Sequence, residues 1–224
     1  MFERTGAQTK SLVKDGDKVK LNTIVMEITG PVRAILKAER LALNFICRMS
    51  GIATQTFNLV SLCQKVNPHV SVAATRKTTP GFRQYEKKAV ILGGGEPHRY
   101  GLYDMILIKD NHIKGVGSVE EAINRIREKN KDIVLEIEVE NEEDAVTAAK
   151  MNVDWIMLDN YEVKIGKQVA ERIRKINSHV RIEVSGGITE KNIALFAGFA
   201  DRISLGMLTH SVKSKDFSLE ISEN

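Results

Sequence analysis

After residue 69, short apolar runs alternate with longer stretches in which apolar residues recur at helical spacing. Short runs of this kind are typical of buried strands, and the wider spacing is typical of helices. One predicted helix begins with a capping box formed by Ser118 and Glu121. The predicted strands are 70–74, 105–108, 133–139, 155–158, 180–184 and 202–205. Because strands that alternate with helices form right-handed βαβ units, we predict a parallel sheet covered by helices.

The repeated unit fits two architectures, a (β/α) barrel or an open doubly wound sheet. No GxGxxG motif follows the first predicted strand, which disfavours the dinucleotide-binding form of the open sheet. Ahead of the alternating part, Ile24, Met26 and Ile28 alternate with polar residues as in a half-buried strand, and helical spacing begins near Leu41. A few strands alone cannot bury a core, so we expect the first forty residues to pack on another part of the protein.

Polar residues and glycines lie at the end of each predicted strand or directly after it. In a (β/α) barrel the active site forms at the carboxyl ends of the strands. Cations bind carboxylates or phosphates, and Mg²⁺ is commonly held by one or two carboxylates together with substrate oxygens. We therefore predict a phosphorylated, polyanionic ligand and a metal ion. In strand order, the candidate residues are Thr75, Arg76, Lys77, Lys109, Glu138, Asp159, Ser185, Gly186, Gly187 and Gly206.

Each of these features also has an ordinary structural explanation when it is taken alone. We expect Ser185-Gly186-Gly187 to open a helix whose amides hold a phosphate, but a pair of glycines is more often only a turn. Lys109 and Asp110 could form a surface ion pair of little energetic value. Gly93-Gly94-Gly95 could be a flexible hinge, and Arg48 could lie on a solvated helix surface. Taken together, the consecutive polar strand ends favour a site.

Composition narrows the class of protein. A net charge of +4 with only 5% aromatic residues argues against a nucleic-acid partner. Cys47 and Cys63 form neither a disulfide framework nor a metal-binding spacing, so we expect free thiols in the cytoplasm. The histidines form no HxxxH pair, which argues against zinc. No apolar run approaches the roughly 20 residues of a membrane span, and the first residues do not resemble a secretory signal.

At the candidate residues, the chain resembles the quinolinate phosphoribosyltransferase family. The matching motifs occur in family order and cover nearly the whole chain. The most specific of them are Thr75-Arg76-Lys77, His98-Arg99 after Gly93-Gly94-Gly95, Lys109-Asp110-Asn111-His112 and Ser185-Gly186-Gly187-Ile188. The resemblance implies that quinolinate and phosphoribosyl pyrophosphate give nicotinate mononucleotide, pyrophosphate and CO₂ in NAD biosynthesis, with Mg²⁺.

The resemblance also implies the domain organisation. It indicates an incomplete (β/α) barrel of about six or seven parallel strands beside an N-terminal α/β sandwich domain. The family has a longer N-terminus, so this chain is expected to begin partway through the sandwich. We predict a partial sandwich domain over residues 1–42, with 212–224 packing on it, and a barrel domain over 43–211.

The resemblance further assigns roles to residues. It implies that Arg76, His98, Arg99 and Lys109 hold the carboxylates of quinolinate. Arg40 is expected to be donated from a neighbouring subunit of a homodimer or homohexamer. Thr75 and Lys77 line the pocket, with Lys77 in a catalytic role, and Glu138 and Asp159 face the ribose and Mg²⁺. The phosphate end is assigned to Ser185, Gly186, Gly187, Gly206, Met207 and Leu208.

Three alternatives remain open at this point. A molybdenum-transport-associated homologue shares the Arg-Lys-Thr, Gly-Gly-Gly and His-Arg motifs, but it typically lacks the block from Lys109 to His112. Nicotinate phosphoribosyltransferase does not decarboxylate and has to bind only one carboxylate, so fewer cations would be expected. A non-catalytic sensor of pyridine nucleotides could dispense with Glu138 and Asp159, and both residues are present.

Overall fold

The computed structural model describes residues 1–130 and 133–222 of the chain. The strands are β1 (Gln8–Ser11), β2 (Met26–Thr29), β3 (Ser71–Ala73), β4 (Ile106–Ile108), β5 (Leu135–Val139), β6 (Trp155–Asp159), β7 (Arg181–Ser185) and β8 (Arg202–Ser204). The helices are α1 (Phe2–Thr5), α2 (Val32–Gln64), α3 (Arg83–Leu92), α4 (Asp110–Val116), α5 (Val119–Lys129), α6 (Glu142–Lys150), α7 (Val163–Ile176), α8 (Ile193–Ala197) and α9 (Met207–His210). The six strands predicted after residue 69 are confirmed.

Strands β3 to β8 form one parallel sheet in the order β3-β8-β7-β6-β5-β4. From β4 to β8, each strand lies beside the next one in the chain, so the order never reverses as it would in a doubly wound sheet. Apolar residues on one face of each strand pack under the helices, for example Ile137, Ile156 and Ile182, all fully buried. The alternate residues point to the other face, which is the interior of an incomplete (β/α) barrel.

The segment between α3 and β4 spans the gap between the two edge strands. Glu96 forms a parallel bridge with Ala73, and its amide donates to the carbonyl of Val72 at 2.8 Å. The chain then runs directly to β4 on the opposite edge of the sheet. Residues 97–105 therefore lie where further strands would close a complete barrel, and they carry His98 and Arg99 to its interior.

The glycine run before this segment is a close-packing contact rather than a flexible hinge. A Cβ atom on Gly93 would lie 2.4 Å from the carbonyl oxygen of Ala53, and one on Gly95 would lie 2.6 Å from a methyl group of Thr56. Both neighbours belong to α2. The end of α3 can approach α2 this closely only because the side chains are missing. The hinge interpretation is therefore wrong.

The N-terminal segment is small and antiparallel. Strands β1 and β2 pair with each other, and the predicted strand near Ile28 is present. A minor apolar cluster joins α1 to the first turns of α2 through Phe2, Ile35 and Ala38, and Leu219 of the C-terminal tail packs against it. The predicted boundary between residues 42 and 43 lies inside the continuous helix α2, and residues 223–224 of the predicted tail lie outside the described residues. The domain division stays a prediction.

In the described parts of the chain, 1–130 and 133–222, none of the helices combines the length and apolar character that crossing a membrane requires.

Candidate active site

Two neighbouring strands bring a cation and a carboxylate into contact. Lys109 follows β4, and its Nζ donates to Oε2 of Glu138 on β5. The backbone of Lys109 caps α4, because its amide donates to Nδ1 of His112 at 2.9 Å. Asp110 pairs instead with Lys114 at 2.9 Å, one turn along the same helix. The alternative of an ion pair between Lys109 and Asp110 is therefore wrong, and Lys109 faces the predicted site.

The Thr75-Arg76-Lys77 segment extends from β3 to the loop after β8. The hydroxyl of Thr75 accepts the amide of Lys77 at 3.1 Å, and the carbonyl of Lys77 accepts from the hydroxyl of Thr209 at 2.8 Å. A Cβ atom on Gly206 would lie 3.0 Å from Cδ of Lys77. Residues from the first and last strands of the barrel therefore meet at one end of it, as the sequence predicts.

His98 and Arg99 are largely buried in the interior of the barrel. Nε2 of His98 lies 3.3 Å from Oε2 of Glu183 and 3.4 Å from Oε2 of Glu136. Burial alone would lower the pKa of His98, but these two carboxylates outweigh it and raise the pKa to about 9. Burial, and next the charge of Arg76, lower the pKa of Arg99. Positive charge is thus concentrated around this segment, which favours an anionic ligand.

Charged residues fill the barrel below His98. Glu183 is fully buried and accepts from Nη1 of Arg202 at 2.9 Å, while Nη2 of Arg202 lies 2.7 Å from Glu96. Burial would raise the pKa of Glu183, but its contacts with His98 and Arg202 hold the pKa low. Burial, and next the charge of Glu183, raise the pKa of Glu136. Two adjacent buried carboxylates with opposite shifts are expected to share one proton.

Sequence reasoning did not identify Glu183 or Arg202 as part of the site. Both lie in predicted strands, at positions that alternate with apolar residues such as Ile182 and Ile203. A charged residue inside an otherwise buried strand was the signal that could have revealed them, since such a residue must be paired. Their placement depends on which face of the strand points into the barrel, and the sequence alone does not define that face.

Two separate clusters of side chains contain carboxylates that could hold a metal ion. His98, Glu136 and Glu183 offer ligand atoms within 4.8 Å of one another. However, Nε2 carries a proton in the charged ring that the raised pKa favours, and the contact of Nδ1 with the amide of Arg99, at 2.8 Å, places the proton of the neutral ring on Nε2 as well. Nε2 then has no lone pair that could bind a metal. The geometry of the cluster of His98, Glu136 and Glu183 therefore favours a bound proton over a metal ion.

Glu138 and Asp159 are better suited to Mg²⁺. Glu138 uses Oε2 for Lys109, and Asp159 uses Oδ2 to accept from Asn160 at 2.8 Å. Each carboxylate keeps a second oxygen. Both point to the barrel interior, because Glu138 pairs in register with Met157, two residues before Asp159. One oxygen from each of two carboxylates, completed by substrate oxygens, fits the donor set that Mg²⁺ prefers.

The glycine turn after β7 differs from the prediction. Gly186 and Gly187 adopt positive φ angles of 84° and 61°, and the next helix, α8, begins only at Ile193. A Cβ atom on Gly186 would lie 2.2 Å from Oδ1 of Asn160, and the amide of Asn160 donates to the carbonyl of Ser185 at 2.9 Å. The expectation that Ser185-Gly186-Gly187 opens a helix is therefore wrong. Left-handed glycines do not continue into a helix, so the turn instead packs against the end of β6.

The remaining predicted residues lie in three settings. Met207 is half-buried at the start of the short helix α9, whereas Leu208 is fully buried in the core and could reach a ligand only through its backbone. Arg40 is exposed on α2 beside Glu39, at 3.7 Å. Arg48 is not merely solvated surface, because its guanidinium pairs with the buried carboxylate of Glu86 at 2.5 Å. The site roles of Met207, Leu208 and Arg40 stay predictions.

Comparison with known proteins identifies the family. The family described as quinolinate phosphoribosyl transferase matches with its C-terminal domain over residues 52–220 and with its N-terminal domain over residues 1–50. A probable carboxylating nicotinate-nucleotide pyrophosphorylase of Archaeoglobus fulgidus is 47% identical over 211 residues, which are 93% of this chain and 81% of that relative. The carboxylating nicotinate-nucleotide pyrophosphorylase of Homo sapiens is 37% identical over 224 residues, which are 99% of this chain and 75% of that relative.

Solved structures agree with the sequence relatives. The crystal structure of NadC from Streptococcus pyogenes is 41% identical, with a TM-score of 0.90 over 98% of this chain and 79% of that one. A nicotinate-nucleotide pyrophosphorylase from Francisella tularensis is 37% identical, also with a TM-score of 0.90, over 96% of this chain and 76% of that one. The chain therefore belongs to the quinolinate phosphoribosyltransferase family.

Proposed function

We propose that this chain transfers the phosphoribosyl group of phosphoribosyl pyrophosphate to quinolinate, with loss of CO₂, to give nicotinate mononucleotide. The observation that carries the proposal is the concentration of cations at one end of the barrel, opposite two carboxylates. Arg76, Arg99 and Lys109 lie on the segments next to β3 and β4, and Glu138 and Asp159 lie on β5 and β6. Quinolinate has two adjacent carboxylates, and a cluster of several cations matches it better than it matches nicotinate.

The cations and the carboxylates act on different parts of the reaction. As pyrophosphate leaves, positive charge develops at C1 of the ribose, and Glu138 and Asp159 stabilise that charge electrostatically. The pyridine nitrogen of quinolinate then bonds to C1. The ring becomes a cation, the carboxylate on the carbon next to nitrogen leaves as CO₂, and a proton takes its place on that carbon. The protein cations hold two anionic substrates together that would otherwise repel each other.

Mg²⁺ is part of the proposal. Glu138 and Asp159 would hold it through the oxygens that do not contact Lys109 and Asn160. It would supply charge neutralisation at the phosphate oxygens of phosphoribosyl pyrophosphate. Removal of divalent cations with a chelator should abolish turnover, and added Mg²⁺ should restore it.

We further propose that the protein acts as a homodimer or homohexamer in which Arg40 completes the site of a neighbouring subunit. Arg40 is exposed, and among the residues that the structure describes its one ion-pair contact is the long one with Glu39, so its guanidinium can reach a partner. Mixing an inactive Arg40→Ala variant with an inactive Lys109→Ala variant should restore part of the activity, because some mixed dimers contain one intact site. No recovery after mixing would contradict shared sites.

The two free cysteines suit a reducing compartment such as the cytoplasm.

The direct test supplies quinolinate, phosphoribosyl pyrophosphate and Mg²⁺ to the purified chain and measures nicotinate mononucleotide and CO₂. Both products should form in equal amounts and only when phosphoribosyl pyrophosphate is present. Consumption of nicotinate instead, without CO₂, would show a non-decarboxylating transferase. Binding of pyridine nucleotides without any turnover would indicate a sensor, although Glu138 and Asp159 argue against that function.

A further inference from the structure

Helix α3 directs a buried cation at the backbone on both sides of His98. Lys87 has no solvent-exposed surface, and its Nζ donates to the carbonyl oxygen of Pro97 and to that of Arg99, the latter at 2.8 Å. Among the described residues, no carboxylate is in ion-pair contact with Lys87. A buried ammonium without such a partner costs stability, and burial is the main reason why the pKa of Lys87 is lowered to about 8.

The residue between these two carbonyls has an unfavourable backbone conformation. His98 has a φ angle of +52°, in the left-handed region that residues with a side chain seldom adopt. A left-handed residue other than glycine costs of order 1 kcal/mol or more, and it persists only where its surroundings hold it in place. The two hydrogen bonds from Lys87 fix the peptide group before His98 and the peptide group after Arg99, so they hold both ends of this two-residue segment. They therefore determine where the His98 ring and the Arg99 guanidinium point.

A second cation on α3 extends the same arrangement. Arg83 lies one turn before Lys87, and its guanidinium donates to the carbonyl of Tyr100 at 2.8 Å and to the hydroxyl of Thr78 at 3.1 Å. Thr78 directly follows the Thr75-Arg76-Lys77 segment. Arg83 thus connects the two segments that carry Arg76 and Arg99. Side chains on one face of α3 therefore fix the position of the Arg76 segment relative to the Arg99 segment, and both segments belong to the predicted carboxylate-binding region.

We propose that Lys87 is a positioning residue, which holds the left-handed backbone at His98 and so aims His98 and Arg99 at the two carboxylates of quinolinate. The inference rests on the proposed function of the site. Lys87 itself does not touch the substrate, because its Nζ is occupied by protein carbonyls beneath the segment. Its effect is expected in the affinity for the pyridine substrate rather than in the affinity for phosphoribosyl pyrophosphate, whose predicted binding residues lie at the ends of β5, β6, β7 and β8.

The test compares Lys87→Met with Lys88→Met, the adjacent residue on α3. Methionine keeps most of the volume of lysine but donates no hydrogen bond. Lys88 is exposed and pairs with Asp15 on the surface, at 3.2 Å, so its replacement is a matched control. We expect the KM for quinolinate to rise by about tenfold or more in Lys87→Met, since a small misplacement of binding groups has large effects. The KM for phosphoribosyl pyrophosphate should change less than about twofold, and Lys88→Met should behave as wild type.

Each outcome decides the inference. An unchanged KM for quinolinate, or an equal change for both substrates, would show that Lys87 only supports the fold. If Lys87→Met does not fold, Arg83→Met replaces it, because Arg83 is partly exposed, and a selective rise of about threefold is expected. An unchanged KM for quinolinate in Arg83→Met would then overturn the proposal. The wild-type protein is assayed alongside, and its inactivity would contradict the proposed function itself, whereas an active wild type with an unaffected variant contradicts only the role of Lys87.

Discussion

The two halves of the candidate site are held in place in different ways. The half that we propose binds the carboxylates of quinolinate, called here the carboxylate-binding half, lies around His98 and Arg99. It is fixed by buried side chains, with Lys87 below the backbone and Glu183 beside the ring. The half that we propose binds the ribose and phosphates, called here the ribose-phosphate half, lies around Asp159 and Gly186. It is fixed by backbone geometry at the ends of strands, including two left-handed glycines and a left-handed Asn160. The first half depends on charges inside the barrel, and the second depends on the absence of side chains.

This difference indicates how each half should respond to mutation. In the carboxylate-binding half, removing a charged side chain changes the position or charge of neighbouring cations, so quinolinate affinity should suffer. In the ribose-phosphate half, adding even one carbon atom changes the path of the backbone, so the affinity for phosphoribosyl pyrophosphate should suffer. Lys109 belongs to both halves, because it is a predicted ligand of quinolinate and also contacts Glu138.

The largest effect is therefore expected for Lys109→Ala. The change removes the ammonium group that is predicted to bind a carboxylate of quinolinate, and it also removes the contact of Lys109 with Glu138. Hydrogen bonds to charged groups contribute about 1.5–3 kcal/mol each. Steady-state kinetics should show kcat/KM for quinolinate lower by about 100-fold, since each 1.4 kcal/mol is roughly tenfold. Thermal unfolding should be nearly unchanged, because the cap of α4 uses the backbone amide of Lys109, which alanine retains.

Lys114→Ala is the matched control for this variant. Lys114 lies on the same helix and pairs with Asp110 at the surface, so its loss should change the kinetics by less than about twofold. Normal kinetics in Lys109→Ala would show that the site is misplaced. An effect on only one of the two substrates would show that Lys109 serves a single half.

The next largest effect is expected in a comparison of alanine substitutions at two neighbouring glycines in the ribose-phosphate half. In Gly186→Ala, the new Cβ atom would lie 2.2 Å from Oδ1 and 2.7 Å from the backbone nitrogen of Asn160. In Gly187→Ala, apart from the two chain neighbours, no atom of the described residues lies within 4 Å of the new Cβ, so only the left-handed backbone is penalised, by roughly 1–2 kcal/mol. We expect the KM for phosphoribosyl pyrophosphate to rise by about tenfold in Gly186→Ala and by about threefold at most in Gly187→Ala. Equal effects in both variants would show that contact with Asn160 is unimportant.

The sequence predicts the positions of the carboxylates in the ribose-phosphate half, but it does not predict the buried side chains that support the carboxylate-binding half. The strand ends at Glu138 and Asp159 follow from apolar runs of strand length, because the carboxyl ends of parallel strands always meet at one end of the barrel. The contact between Lys109 and Glu138 follows in the same way from neighbouring strands. A helix does follow this turn, but the prediction that it begins at Ser185-Gly186-Gly187 is wrong, because the φ angle of a glycine depends on what packs against it, here Asn160.

Lys87 shows why the support of the carboxylate-binding half could not be predicted. Lys87 and Lys88 are adjacent and chemically identical, yet one is fully buried and the other is exposed. The difference depends on the rotation of a ten-residue helix against a segment that has no regular structure. Helical periodicity cannot define that rotation when charged residues lie on both faces. Similarly, the pairing of Glu183 with Arg202 depends on which strand face points inward.

A smaller effect is expected from the charge of Glu183 on His98. In wild type, the pKa of His98 is raised from 6.5 to about 9, so the stability gained by its protonation is complete below pH 6.5 and is lost as the pH rises through 9. In Glu183→Gln, one of the two carboxylates that raise this pKa is removed. NMR titration of the His98 ring should give a midpoint above pH 8 in wild type and a lower midpoint in the variant. The KM for quinolinate at neutral pH should rise by about threefold.

The same titration can contradict the interpretation. A wild-type midpoint near 6.5 would show that the contact of Nδ1 with the Arg99 amide dominates over the carboxylates. A midpoint that is equal in both proteins would show that Glu136 alone determines the charge of the ring. In either case the carboxylate-binding half would depend less on interior charge than its geometry indicates.

The smallest effect is expected at Asn160, and it tests whether backbone geometry alone holds the ribose-phosphate half in place. Asn160 has a φ angle of +57° and donates from Nδ2 to Asp159 at 2.8 Å. Asn160→Ala and Asn160→Gly both lose this hydrogen bond, but only glycine adopts the left-handed conformation without cost. Denaturant unfolding should show Asn160→Ala less stable than Asn160→Gly by about 1 kcal/mol, with the KM for phosphoribosyl pyrophosphate changed by about twofold or less in both. If the two variants are equally destabilised, the hydrogen bond to Asp159 matters more than the backbone, and this half would also depend on a side chain.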